Sequence, residues 1–175
     1  MTEAVTDEPT CTLACVDGDV VLPLSRACMS RTIKAMIEDV EEDLQGGTVP
    51  VSLPNTAKDV AEQVAACCAH LELEGYGGAA ATAEDRFTFR KTPLHGWRKD
   101  FVNVSMEMLI AMILAANFLD LPPMLDTCCK AVAEIVQGKT AAEVKAVFGI
   151  EGEYTDEEKE ALLSEHPWLE RVDIA

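Results

Sequence analysis

Apolar positions fall into two patterns along the chain, short runs bounded by turn residues early on and recurrences every three or four residues from Met106 onward. Cys11 to Val16 and Val20 to Leu24 flank Asp17-Gly18, which predicts a hairpin whose first strand begins near Thr12. Ile33, Met36, Ile37 and Val40 keep helical spacing and stop in the acidic stretch around Gly46-Gly47. Val49 to Leu53 predicts a short strand closed by Pro54. Asn55 is placed to cap the next helix, whose apolar face is Val60, Val64 and Cys67 or Cys68.

Residues 74–96 follow no period. Gly75, Gly77, Gly78 and the alanines from 79 to 83 predict a mobile insertion there, with a brief strand at Phe87-Thr88-Phe89. Arg86, Arg90, Lys91, Arg98 and Lys99 make it the one basic patch, read first as balancing nearby carboxylates and second as an anion site. Beyond it, Met106, Leu109, Ile110, Ile113 and Leu114 form a stripe expected to be buried, which brings Asn117 and Phe118 together at a helix end. Proline is tolerated in a first helical turn, so Pro122-Pro123 opens a second helix. Its stripe is Leu125, Cys128 or Cys129, Val132, Ile135 and Val136, ending at Gly138 as a C-cap. Thr140-Ala141-Ala142-Glu143 and Thr155-Asp156-Glu157-Glu158 both match the capping box and start two short helices, one carrying Val144, Val147 and Phe148, the other Ala161, Leu162 and Leu163.

Composition narrows the class. The 175 residues suffice for one sizeable core, or a small domain with an extension. With 31 acidic against 14 basic residues, the net charge of −17 disfavours nucleic acid and anionic membrane as partners. Residues 1–10 hold no basic or long apolar region, so no signal peptide is expected, and no apolar run reaches a membrane span. Seven cysteines are an odd number in a core-forming chain, which points to a reducing cytoplasm or nucleus.

Catalytic and metal chemistry find little support. Cys67-Cys68 and Cys128-Cys129 are adjacent pairs without the two-residue spacing that grips zinc, and buried thiols explain them better. Gly138-Lys139-Thr140 mimics the end of a phosphate loop, yet Ala133 stands where the upstream glycine belongs. His70, His95 and His166 sit in no catalytic motif, leaving a hydrolase built on Cys128-Cys129 and a histidine as a remote alternative. The expectation is a chain without enzyme activity, cofactor or metal.

Ile113-Leu114-Ala115-Ala116-Asn117-Phe118-Leu119-Asp120 resembles the signature helix of the S-phase kinase-associated protein family, the BTB/POZ-fold adaptors that link F-box proteins to a cullin in SCF-type ubiquitin ligases. Asp17-Gly18-Asp19, Thr32 to Asp39 and Val51 to Asn55 resemble its first hairpin, first helix and third strand. Leu125-Asp126, Val136 to Thr140, Phe148-Gly149-Ile150, Thr155 to Glu158 and Trp168 resemble its C-terminal helices in the same order. The similarity runs over roughly residues 11 to 170. Where the family commonly carries a proline that some lineages hydroxylate and glycosylate, this chain has Ala141 and Ala142, and Phe118 stands where a tyrosine is frequent. Its basic insertion also departs from the acidic one often found in the family.

The resemblance implies an α+β fold: a BTB/POZ core with a small three-stranded sheet at residues 11–121, after a flexible 1–10, then F-box-binding helices at 122–170 and a tail at 171–175. It implies a non-catalytic adaptor in cytoplasm and nucleus. Asn117, Phe118, Leu109 and Ile113 would meet the cullin, while Val132, Val136, Val144, Phe148, Ile150 and Trp168 would line the F-box groove. A RING subunit would be reached indirectly through the cullin, and the chain free of F-box protein would homodimerise. An elongin-C-like adaptor is the nearest alternative, although that family stops shortly after the signature helix. A BTB-fold structural or kinetochore component is the other.

Overall fold

The computed structural model describes residues 9–39, 48–76, 93–152 and 155–166; Val40, Phe87, Phe89, Arg86, Arg90, Lys91 and Trp168 lie outside them. Strands β1 (Thr10–Ala14) and β2 (Asp19–Pro23) lead into helices α1 (Leu24–Ala27) and α2 (Arg31–Glu38), followed by β3 (Thr48–Ser52) and α3 (Lys58–Leu73). The described helices then continue with α4 (Trp97–Phe101), α5 (Met106–Phe118), α6 (Pro122–Val136), α7 (Ala141–Val147) and α8 (Asp156–Glu165). This is the expected α+β class, a BTB-type core followed by helices.

The sheet order is β2-β1-β3. β1 runs antiparallel to β2, with Thr10 opposite Pro23 and Ala14 opposite Asp19, and parallel to β3, with Thr10 opposite Thr48. The hairpin therefore forms where Asp17-Gly18 predicts it, with β1 starting two residues earlier than Thr12. Gly18 takes φ 151°, and the Cys15 amide donates to its carbonyl at 3.1 Å, closing the turn. Pro50 sits in β3, an edge strand, where a missing amide costs no ladder bond on the open side.

Asn55 does not cap α3. The N-cap is Ala57, which has no capping side chain, and the Asp17 carboxylate in the β1–β2 turn accepts the Lys58 amide at 2.6 Å instead. A hairpin residue thereby supplies the anion that a helix N-terminus favours. The buried face of α3 runs Val60, Ala61, Val64, Cys67, Cys68 and Leu71. At its other end Gly75, at φ 78°, completes a Schellman closure in which the Tyr76 amide reaches the Leu71 carbonyl at 2.9 Å.

Two compact units divide the chain at Val132/Ala133, so residues 122–132 of the expected extension fall in the first unit. The reason is visible along α6, whose Met124, Thr127, Cys128 and Ala131 are buried in the first unit's core. Its stripe is thus rotated from the one predicted: Leu125 and Val132 are half-buried, and Cys129 and Ile135 are exposed. In the second unit Gly138 has φ 76°, as a C-cap requires, and both capping boxes form. Thr140 accepts the Glu143 amide at 3.4 Å while Glu143 accepts the Thr140 amide at 2.7 Å, and Thr155 and Glu158 repeat the exchange at 3.3 and 2.9 Å.

Candidate functional site

Helix α5 has only Glu107 and Asn117 as polar residues, so its sequence says little about which side faces the core. Leu109, Met112, Ala115 and Ala116 take the inner face, followed by Leu119 and Leu121 just past the helix. Ser105 caps the helix by accepting the Met108 amide at 3.2 Å. The outer face carries Ile110, Leu114 and Phe118, four residues apart and 38, 64 and 52% exposed. That corrects the predicted stripe, in which Ile110 and Leu114 were expected to be buried beside Leu109.

Asn117 and Phe118 are both exposed at the end of this helix, as a partner contact requires. Leu109, only 1% exposed, and Ile113, half-buried, are not presented in the same way. Both pack with the core. Leu114 and Ile110 were missed as exposed, and their signal in the sequence was the spacing of four and eight residues that puts them on the Phe118 face. A cavity of about 500 Å³ opens beside the outer stripe. One wall is Ala111, Leu114, Ala115 and Phe118 of α5, and the other is the segment from Leu53 to Ala57 together with Val60 of α3. Its lining is mostly apolar, with Asn55 and Thr56 among the few polar groups, so it suits an apolar side chain entering beside hydrogen-bonding groups.

The end of α5 is held from across the fold. Asp120 adopts φ 43°, a left-handed conformation that an Asp tolerates better than most residues. The Leu121 amide returns to the Ala116 carbonyl at 3.0 Å and the Asp120 amide to Asn117 at 3.3 Å, which is a Schellman ending without glycine. Arg31 pairs with the Asp120 carboxylate at 3.2 Å. Ser30, buried at the N-cap of α2, donates its hydroxyl to the Leu119 carbonyl at 2.5 Å and accepts the Ile33 amide at 3.1 Å.

The residues expected at the F-box surface divide between the two units. In the first, Val132 is half-buried against the core. In the second, Val136, Val144 and Phe148 are half-buried and Ile150 is 57% exposed. Gly149, at φ 62°, ends α7 by letting the Ile150 amide reach the Lys145 carbonyl at 2.9 Å. Phe148 and Ile150 therefore flank a fixed turn. In the basic patch, Arg98 is engaged in a two-pronged ion pair with Glu74, which supports charge balancing.

The thiols are mainly interior. Burial pushes the Cys11 thiol up to about 11 and those of Cys68 and Cys128 up to about 12, and raises Cys67 further by the same cause. Such thiols are poor nucleophiles. Among the described residues no group of three or more His, Cys, Asp or Glu is arranged to hold a metal ion, and no described helix is long and apolar enough to cross a membrane.

A protein-family model described as the Skp1 family, dimerisation domain, matches residues 122–169. Suppressor of kinetochore protein 1 of Schizosaccharomyces pombe is 36% identical over 141 residues, covering 81% of this chain and 84% of that protein. SCF ubiquitin ligase complex protein SKP1b of Dictyostelium discoideum is 36% identical over 82% of this chain and 85% of its own length. The E3 ubiquitin ligase complex SCF subunit sconC of Arthroderma benhamiae is 34% identical over 91% and 94%. Identity of this extent over most of both chains, together with the match in the C-terminal helices, makes this chain a member of the Skp1 family.

Proposed function

We infer that the chain is a non-catalytic adaptor subunit of an SCF-type ubiquitin ligase, bridging a cullin scaffold and F-box substrate receptors. The outer face of α5 is the cullin contact in this reading, and the residues from α6 to α7 with Ile150 are the F-box contact. The observation that carries it is the line of exposed Ile110, Leu114 and Phe118 beside Asn117 and an apolar cavity. An exposed apolar stripe bordered by a few polar groups is a protein-binding surface. Membership of a family with relatives named as SCF complex subunits in two organisms supports the assembly. The family match at residues 122–169 lies in the extension that an elongin-C-like adaptor lacks, which favours the F-box reading.

As an adaptor, the chain would contribute geometry to ubiquitin transfer, holding a substrate receptor at a fixed distance from the scaffold. It would work in cytoplasm and nucleus. Purification of the chain from its source cell, read by mass spectrometry, tests this: a cullin and one or more F-box proteins should co-purify. Asn117→Ala with Phe118→Ala should remove the cullin while F-box proteins remain. Co-purification of neither would discard the adaptor reading.

A further inference from the structure

The inference rests on the reading of the α5 outer face as the cullin contact and concerns what fixes its far end. Every helix leaves carbonyls at its C-terminus that need donors. In α5 the Ala115, Ala116 and Asn117 carbonyls are satisfied locally, by the amides of Leu119, Leu121 and Asp120 at 2.8, 3.0 and 3.3 Å. The next two carbonyls, of Phe118 and Leu119, find their donors 86 and 89 residues earlier in the chain. Thr32 Oγ1 donates to Phe118 at 2.9 Å and Ser30 Oγ to Leu119 at 2.5 Å. Longer backbone contacts reinforce them, from the Thr32 amide to Leu119 at 3.4 Å and from the Arg31 amide to Asp120 at 3.5 Å.

The N-terminus of α2 therefore docks on the C-terminus of α5. Unsatisfied amides of one helix meet unsatisfied carbonyls of the other, and the two partial charges attract. The two hydroxyls differ in duty. Ser30 is buried and also caps α2, so its loss would damage the fold itself. Thr32 is half-buried and lies inside the first turn of α2, whose N-cap is already supplied by Ser30, and its hydroxyl reaches across to the carbonyl of the residue whose ring is half exposed.

We propose that Thr32 is a positioning residue for cullin binding: its hydroxyl pins the Phe118 carbonyl and thereby sets where the Phe118 ring and Asn117 amide stand on the docking face. A residue two places from the N-cap of one helix thus controls the presentation of a contact on another. Without that bond the last turn of α5 has a free carbonyl, and the exposed ring samples more than one position before binding. Binding then has to bear the ordering entropy.

The test uses the full chain with Thr32→Val, which keeps the β-branched shape and removes the donor, and Thr32→Ser, which restores it. Purified cullin and an F-box peptide serve as separate probes, and fluorinated phenylalanine reports on Phe118. Thr32→Val should weaken cullin binding roughly fivefold, the worth of about one hydrogen bond, while F-box peptide affinity stays at the wild-type value. The Phe118 fluorine signal should shift or broaden in Thr32→Val, and Thr32→Ser should restore both signal and affinity. A Thr32→Val chain that binds cullin as tightly as wild type, while Phe118→Ala weakens it, overturns the role of Thr32 and leaves the adaptor reading intact. Equal loss of F-box and cullin binding in Thr32→Val also overturns it, because the effect is then general destabilisation. A wild-type chain with no cullin affinity removes the adaptor reading, and the inference falls with it.

Discussion

Arg98 grips the Glu74 carboxylate with both terminal guanidinium nitrogens, at 2.7 and 2.6 Å. Trp97 donates its indole N–H to the same carboxylate at 2.8 Å, stacks on His70 with centroids 4.5 Å apart, and lies under the Arg98 guanidinium at 4.5 Å. Glu74 ends α3 and Arg98 belongs to α4, so this cluster ties together the described residues on either side of 77–92. The ends of the stretch expected to be mobile from 74 to 96 are thus anchored, and the middle lies outside the described residues. A planar, bidentate guanidinium is well suited to the task, since it fixes direction as well as charge.

The first prediction follows from that pair. Hydrogen bonding from Arg98 holds the Glu74 carboxyl below its ordinary value of 4.5, with Trp97 adding to the effect. A lowered folded-state value means that the carboxylate stabilises the fold above its unfolded pKa and loses that contribution as pH falls through the folded one. Glu74→Gln should therefore melt lower than wild type at about pH 7, and the gap should narrow as pH falls below the ordinary carboxyl value of 4.5. Thermal unfolding of both chains across that range measures it. A gap of constant size would mean that the charge is irrelevant and only shape is being lost.

A second concerns the hairpin and α3. Asp17 accepts the Lys58 amide across 41 residues of sequence, so Asp17→Ala removes the anion from the helix N-terminus. The loss should be about 1 kcal/mol, in the range for helix caps, and Asn55→Ala should cost far less. Denaturant unfolding of the two variants decides between a cap supplied by the turn and one supplied by Asn55.

Thiol labelling supplies a third. Cys129 is exposed, whereas Cys11, Cys67, Cys68 and Cys128 are buried with raised pKa values. Alkylation of the native chain near neutral pH should modify Cys129 first and leave those four until denaturant is added. Tandem mass spectrometry can separate Cys128 from its neighbour. Rapid native labelling at Cys128 would contradict its burial and reopen a nucleophilic role.

What could be read in the sequence was mostly local. Asp17-Gly18 marks a turn within four residues, and each Thr-to-Glu spacing of three marks a helix start, so hairpin and capping boxes were legible without knowledge of the fold. The parallel pairing of β3 with β1 was not, because nothing in either strand specifies a partner 38 residues away. Helix α4 has five residues, too few to show a period. Asn117 and Phe118 stood out through the resemblance and both are exposed, but the exposure of Ile110 and Leu114 was hidden. With only Glu107 and Asn117 as polar residues the helix has little to mark its outer side, and the packing of Leu109 and Met112 decides it.

The F-box reading makes a fourth prediction about the second unit. Helices α7 and α8 have seven and ten residues, and short helices draw most of their stability from tertiary contacts. Val144 and Phe148 are only half-buried and Ile150 is exposed, so apolar surface is available to a partner. Hydrogen exchange beyond Lys139 should slow when an F-box peptide is added, and Phe148→Ala should weaken that binding by about 2 kcal/mol, roughly thirtyfold. Exchange that is unchanged by the peptide would remove the coupling between ordering and binding.

The last prediction separates core from interface on a single helix. Leu109 and Leu114 are the same residue type on α5, at 1% and 64% exposure. Leu109→Ala opens a cavity in the core and should cost about 2 to 5 kcal/mol of stability. Leu114→Ala removes side chain that is already mostly in water, so stability should change by no more than about 0.5 kcal/mol. Binding should show the opposite order once the unfolded fraction of Leu109→Ala is subtracted. Leu114 borders the cavity between Ile110 and Phe118, and truncating a central apolar contact typically costs about 1 to 2 kcal/mol of affinity, so the purified cullin should bind Leu114→Ala roughly tenfold more weakly. Calorimetric titration with unfolding curves on the same samples gives both numbers. If Leu114→Ala binds as wild type while Asn117→Ala with Phe118→Ala does not, the contact is confined to the helix end, and the cavity takes no part in it.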